Sequence, residues 1–155
     1  MTEPSTDGRG LIGGWRLRRW VAIDAAGNEV FPMGATATGY LAYTADGTMV
    51  AMMGSADRPP FESDDLTGGS DVEQAGAFAS FIAYAGRYEV TAETVTHHVE
   101  ASLFPNWIGT RQRRGWQLDR EGRELTLTAR GIRQGGETRT HHLTWELVWE
   151  GDPGG

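Results

Sequence analysis

Apolar and polar residues alternate with a period of two along most of this chain, and glycine-bearing turns interrupt the alternation at short intervals. Period-two alternation places one set of side chains on each face of a β-strand, so it predicts strands buried on one side. Eight segments qualify, at residues 15–24, 38–44, 48–53, 87–91, 94–104, 110–119, 124–130 and 138–150. The link at Asp46-Gly47 supplies the positive φ of a tight hairpin turn, and the links at 26–28, 119–123 and 134–137 are also short. Residues 56–70, with Pro59 and Pro60, read as a long loop. Beyond it Asp71 is a candidate N-cap, and Val72, Ala75, Ala79 and Ile82 recur at helical spacing, predicting a helix from Asp71 to about Tyr84 that Gly86 ends.

Eight consecutive strands with one short helix after the third predict an all-β protein, an up-and-down antiparallel barrel, because closure removes both exposed sheet edges. A two-sheet sandwich is the competing arrangement. A barrel of this size is either filled by side chains or holds one small ligand. The expected organisation is a flexible segment over residues 1–10, one barrel over 11–150 and a flexible tail over 151–155.

Composition narrows the function. A chain of 155 residues suits one domain. A formal charge of −7 argues against nucleic acid and anionic membranes as partners, since both select a cationic face. The chain has no cysteine, which removes thiol catalysis and Cys-based zinc sites. His97-His98 and His141-His142 each point to opposite faces of a strand, so neither pair chelates a metal, and no metal or other cofactor is expected. No apolar run is long enough to span a bilayer and no leader pattern opens the sequence, so a cytoplasmic location is the expectation.

Specific stretches then resemble the bacterial and fungal lipocalin-like domain family: residues 11–17 (LIGGWRL), 39–49 (GYLAYTADGTM), 83–90 (AYAGRYEV), 95–109 (VTHHVEASLFPNWIG) and 125–127 (LTL). The resemblance covers nearly the whole chain. It implies a calycin-type barrel with an interior cavity, and it implies no single reaction, because similar barrels serve as carriers, sensors, isomerases and cyclases. The family pattern has an Arg near the start of the sixth strand, where this sequence offers Arg113 and Arg114.

Strand parity selects the residues that face such a cavity. Val95, His97, Val99, Ala101 and Leu103 share the apolar face of the fifth strand; Gln112, Arg114, Trp116 and Leu118 share one face of the sixth. A hairpin register joining Leu103 to Ile108 sets His97 opposite Arg114 and Glu100 opposite Arg111. An inward guanidinium needs a partner, either a ligand oxygen or a Trp ring such as Trp15 at the barrel floor. Tyr40, Tyr84 and Tyr88 are candidates to present hydroxyls, and Trp145 to add to the wall, with Trp149 mainly structural.

Two functions lead, and the sequence also allows a third reading, an interaction or structural domain with a filled barrel and an exposed apolar patch. One is binding of a small, largely apolar molecule oriented by His97 and Arg114. The other is a cofactor-independent isomerase or cyclase acting on a polyketide- or terpenoid-like intermediate of secondary metabolism, with His97, Arg114 and Tyr88 as its catalytic groups. Either would take a small hydrophobic ligand as partner, and both leave room for a homodimer.

Overall fold

The computed structural model describes residues 8–149. Nine strands form one antiparallel sheet: β1 (Gly13–Ile23), β2 (Glu29–Val30), β3 (Thr38–Tyr43), β4 (Thr48–Gly54), β5 (Phe81–Val90), β6 (Thr94–Ser102), β7 (Arg111–Leu118), β8 (Glu124–Gln134) and β9 (Glu137–Trp149). From β3 to β9 each strand pairs with the next, β1 pairs with β3, and β1 also pairs with β9 through Trp15↔Leu147 to Ile23↔Thr140. Eight strands therefore close a barrel. The two-residue β2 pairs only with Ala22 and Ile23, on the edge of β1 that β3 leaves free beyond Arg16.

Antiparallel order sorts the connections between two ends. One end carries the short turns at 44–47, 91–93 and 119–123, and residues 8–12 close it. There Gly8 is buried and residues Arg9–Leu11 form one 3-10 turn with Leu11 fully covered, so the expected flexible N-terminal segment does not extend through residues 8–10. A Cβ on Gly8 would lie 2.7 Å from Val90, so the main chain fits against that strand only as glycine. Trp15 lies fully covered beside this turn, its indole N–H donating to the Leu11 carbonyl at 2.9 Å. The expected tail at 151–155 lies outside the described residues.

The opposite end carries the long connections, including α1 (Asp71–Ala79). Ser70 caps it rather than Asp71: the Ser70 hydroxyl accepts from the Glu73 N–H while the Glu73 carboxylate accepts from the Ser70 N–H. The helix stops five residues earlier than its apolar spacing predicts. Residues Phe81 to Tyr84 instead join β5, where pairing from Gly54↔Phe81 to Thr48↔Arg87 satisfies their backbone and buries Tyr84. No residue of α1 is buried, so tertiary pairing outweighed a weak helical pattern.

The β6–β7 register is displaced by two residues from the expected one. His97 faces Gln112 and Val95 faces Arg114, while Arg111 faces His98. The connection is longer than a tight hairpin because Pro105–Trp107 form a 3-10 turn, after which the Gly109 N–H donates to the Val99 carbonyl. Glu100 consequently pairs with Arg87, at 3.3 Å, and not with Arg111.

Candidate ligand-binding cavity

The barrel encloses a cavity of about 800 Å³ that reaches the end carrying α1. Its wall is mainly apolar, built from Leu41, Ala51, Met53, Leu127 and Leu143 on alternate positions of four strands. Met33, Phe78, Phe81, Leu103 and Trp107 surround the mouth. Below them the polar groups are few: Tyr84, Gln112, Arg114 and His141.

Arg114 is 7% exposed and lines this cavity. It donates to the Arg113 carbonyl at 3.1 Å and to the Gln112 side-chain oxygen at 3.5 Å, and no carboxylate among the described residues forms an ion pair with it. It does not stack on Trp15; the guanidinium–ring contacts among the described residues are at Tyr40, Phe31 and Phe81.

His97 is fully buried and does not line the cavity. The Tyr43 hydroxyl lies 2.7 Å from its Nε2 and the Tyr84 hydroxyl 2.9 Å from its Nδ1. Burial, reinforced by Arg114, depresses its pKa from 6.5 to about 3, so the ring is neutral, with one nitrogen donating and the other accepting. Burial likewise raises both tyrosines, while Arg114 pulls Tyr84 back down. His97 thus holds Tyr84, and Tyr84 is the member of the trio that reaches the cavity.

Several expected wall residues lie elsewhere. Tyr40 is outward on β3 and half exposed beneath the Arg16 guanidinium, because parity gives the inward positions to Gly39, Leu41 and Tyr43. Tyr88 is only half buried, donates to the Thr44 carbonyl at 2.6 Å and stacks edge-on against Tyr43 towards the closed end. Ala101 is exposed, since the register slips between Ala85↔Ala101 and Gly86↔Val99 and a bulge at Glu100 inverts the parity beyond it. Val95, Val99 and Trp116 are buried in the core without lining the cavity, and the Trp116 indole donates to the Thr91 carbonyl at 2.9 Å. Gln112, Tyr84, Arg114 and Trp145 do line it.

Three contributors escaped the sequence reading: Tyr43, Trp20 and His141. Tyr43 shares parity with Leu41, and His141 with Leu143 and Trp145, which is the signal that could have found them. Trp20 lies beyond a register shift between Leu17 and Arg19 that inverts its parity relative to Trp15 and Leu17. Trp20 donates its indole N–H to His141 Nδ1 at 2.9 Å. His141 is held neutral, its pKa depressed to about 4 by burial and by Arg114, so its own proton sits on Nε2.

An eight-stranded antiparallel barrel, plugged at one end and hollow at the other, is the architecture of a calycin-type protein. Its sequence matches the lipocalin-like domain family over residues 12–149, and the chain belongs to that family. It is also 34% identical over 98 residues to the 4'-hydroxy-3'-methoxypropiophenone carrier protein ppsC of Aspergillus oryzae, an alignment covering 58% of this chain and 87% of that protein.

Proposed function

We propose that this protein binds and carries a small, largely apolar molecule inside the barrel, with Arg114 and the His97-held Tyr84 orienting its polar end. The observation that carries the reading is the cavity: about 800 Å³ with an apolar wall and a few convergent polar groups is the usual form of a small-molecule site. Its relative's name as a carrier of an aryl ketone supports a ligand of similar size and aromatic character. Helix α1 covers the mouth through Phe78 and Ala79, with loop 56–70 behind it. The isomerase or cyclase alternative finds less support, because His97 is not at the cavity surface and both of its nitrogens are engaged.

Titration with N-phenyl-1-naphthylamine, followed by competition with 4'-hydroxy-3'-methoxypropiophenone, tests the proposal. Saturable fluorescence enhancement reversed by the ketone is the expected result. Enhancement that never saturates would count against a defined cavity site.

A further inference from the structure

Apart from the buried, unpartnered Gln134 Oε1 near the β8–β9 turn at the open end, the unsatisfied polar atoms of the cavity share a property that the apolar wall does not explain: they donate hydrogen bonds. Arg114 has donors to spare after its contacts with Arg113, Gln112 and Tyr84. His141 Nε2 and Trp145 Nε1 are both buried with no hydrogen-bond partner, on residues that are 3% and 1% exposed. The tautomer follows from geometry, since Trp20 donates into Nδ1 and the ring's proton must then lie on Nε2. The acceptors nearby already serve the protein: the Gln112 oxygen lies 3.5 Å from Arg114, and the Tyr84 hydroxyl is held between His97 Nδ1, at 2.9 Å, and the Arg114 guanidinium.

These groups also lie in register. Ala129 pairs with His141, and continuing the β7–β8 register by one residue past its last pair, Gly115↔Thr128, brings Ala129 alongside Arg114. Arg114 and His141 therefore flank a single methyl group in one row across three strands, both facing the cavity. A larger residue at Ala129 would fill the space between them. A guanidinium buried in such a wall, without a carboxylate, is costly unless an anion reaches it.

We infer that the inner end of the cavity is a donor-rich oxyanion site, selecting ligands that carry a carboxylate or the anion of an acidic phenol or enol, bound with the apolar body towards the mouth. Arg114 makes the direct contact. The His141 and Trp145 N–H dipoles keep the surroundings positive and offer no acceptor to a neutral hydroxyl. The inference rests on the proposed ligand-binding role and sharpens it.

A matched pair of probes tests it: 2-naphthoate against its neutral amide, each followed by quenching of the cavity tryptophans Trp20, Trp107 and Trp145. Loss of a charged hydrogen bond typically changes affinity by ~10-fold or more, so naphthoate is expected to bind at least that much more tightly. Arg114→Gln is expected to bring the two affinities together while amide binding persists, which also shows that the variant is folded. Arg114→Lys, keeping the charge, is expected to retain part of the preference. A third probe, 4-nitrophenol near its own pKa, separates phenolates from carboxylates: its yellow form should grow on binding if phenolates are accepted. Equal affinity of naphthoate and amide in the unmodified protein, or a preference unchanged in Arg114→Gln, would overturn this inference and leave the ligand-binding role standing. Absence of saturable quenching by either probe would overturn both.

Discussion

Tyr84 separates a closed polar cluster from an open one: behind it His97 and Tyr43 are sealed in the core, and in front of it the cavity begins. Removing the Tyr43 hydroxyl leaves His97 Nε2 buried without its partner, so Tyr43→Phe is expected to cost about 1–3 kcal/mol in urea unfolding. The same burial makes stability depend on pH. Unfolded, each of His97 and His141 takes up its proton near 6.5; folded, only near about 3 and about 4. Between those limits the unfolded chain binds more protons. The stabilisation is therefore complete above 6.5 and declines as pH falls, by up to ~1.4 kcal/mol per unit for each histidine. Urea midpoints measured from pH 7 to pH 5 should fall, and His97→Gln should flatten the slope; an equal slope in that variant would remove His97 from the explanation. This window lies above the one set by Asp24, Asp46, Asp65 and Glu73, whose hydrogen-bonded carboxylates are held below their ordinary values. Parity alone identified His97 and Arg114 as inward. It could not say which of them reaches the cavity, because that depends on Tyr84 filling the space in front of His97.

Among the elements, α1 and the β5–β6 crossing are where local pattern and tertiary structure disagree most. The strands were legible because alternation is set by one buried face, and the closed pairing preserves that face throughout β7, where Gln112, Arg114, Trp116 and Leu118 are all turned inward as expected. The bulge at Glu100 was not, since nothing in the alternation of residues 94–104 marks an extra residue. Its counterpart on β5 is Gly86: a Cβ there would lie 1.8 Å from the His98 carbonyl oxygen. Backbone cannot yield as a side-chain tip does, so Gly86→Ala is expected to destabilise by at least the roughly 1–3 kcal/mol typical of overpacking, measured by thermal or urea unfolding. Helix α1 is held differently. Arg58 clasps its end, donating to the Ala77 carbonyl at 3.1 Å and the Ser80 hydroxyl at 3.0 Å while stacking 4.7 Å above the Phe81 ring. A depression of about 280 Å³ between loop and barrel, lined in part by Phe61 and Phe78, leaves the cover loosely seated. Arg58→Gln should therefore speed both association and release of a bound probe in stopped-flow mixing, with the dissociation constant changing less than either rate.

At the scale of the molecule, one end of the barrel is specialised for closure and the other for access. The plug of Leu11, Trp15 and Met49 is fully buried and carries no free polar group, whereas the mouth gathers the long connections, the helix and most of the exposed aromatic rim. That division was only half legible. Short turns predicted which connections are tight, but the volume left inside depends on how Ala51, Ala129 and Leu143 meet across strands far apart in sequence. Among the described residues no helix is long and apolar enough to cross a membrane. The central claim is that the space within the barrel, and not an outer surface, receives the ligand. Titrating N-phenyl-1-naphthylamine into the protein and into Ala129→Trp, whose indole would occupy that space, tests it most directly. One saturable site in the former and none in the latter, with both folded by circular dichroism, is the predicted result; equal binding by the two proteins would contradict it.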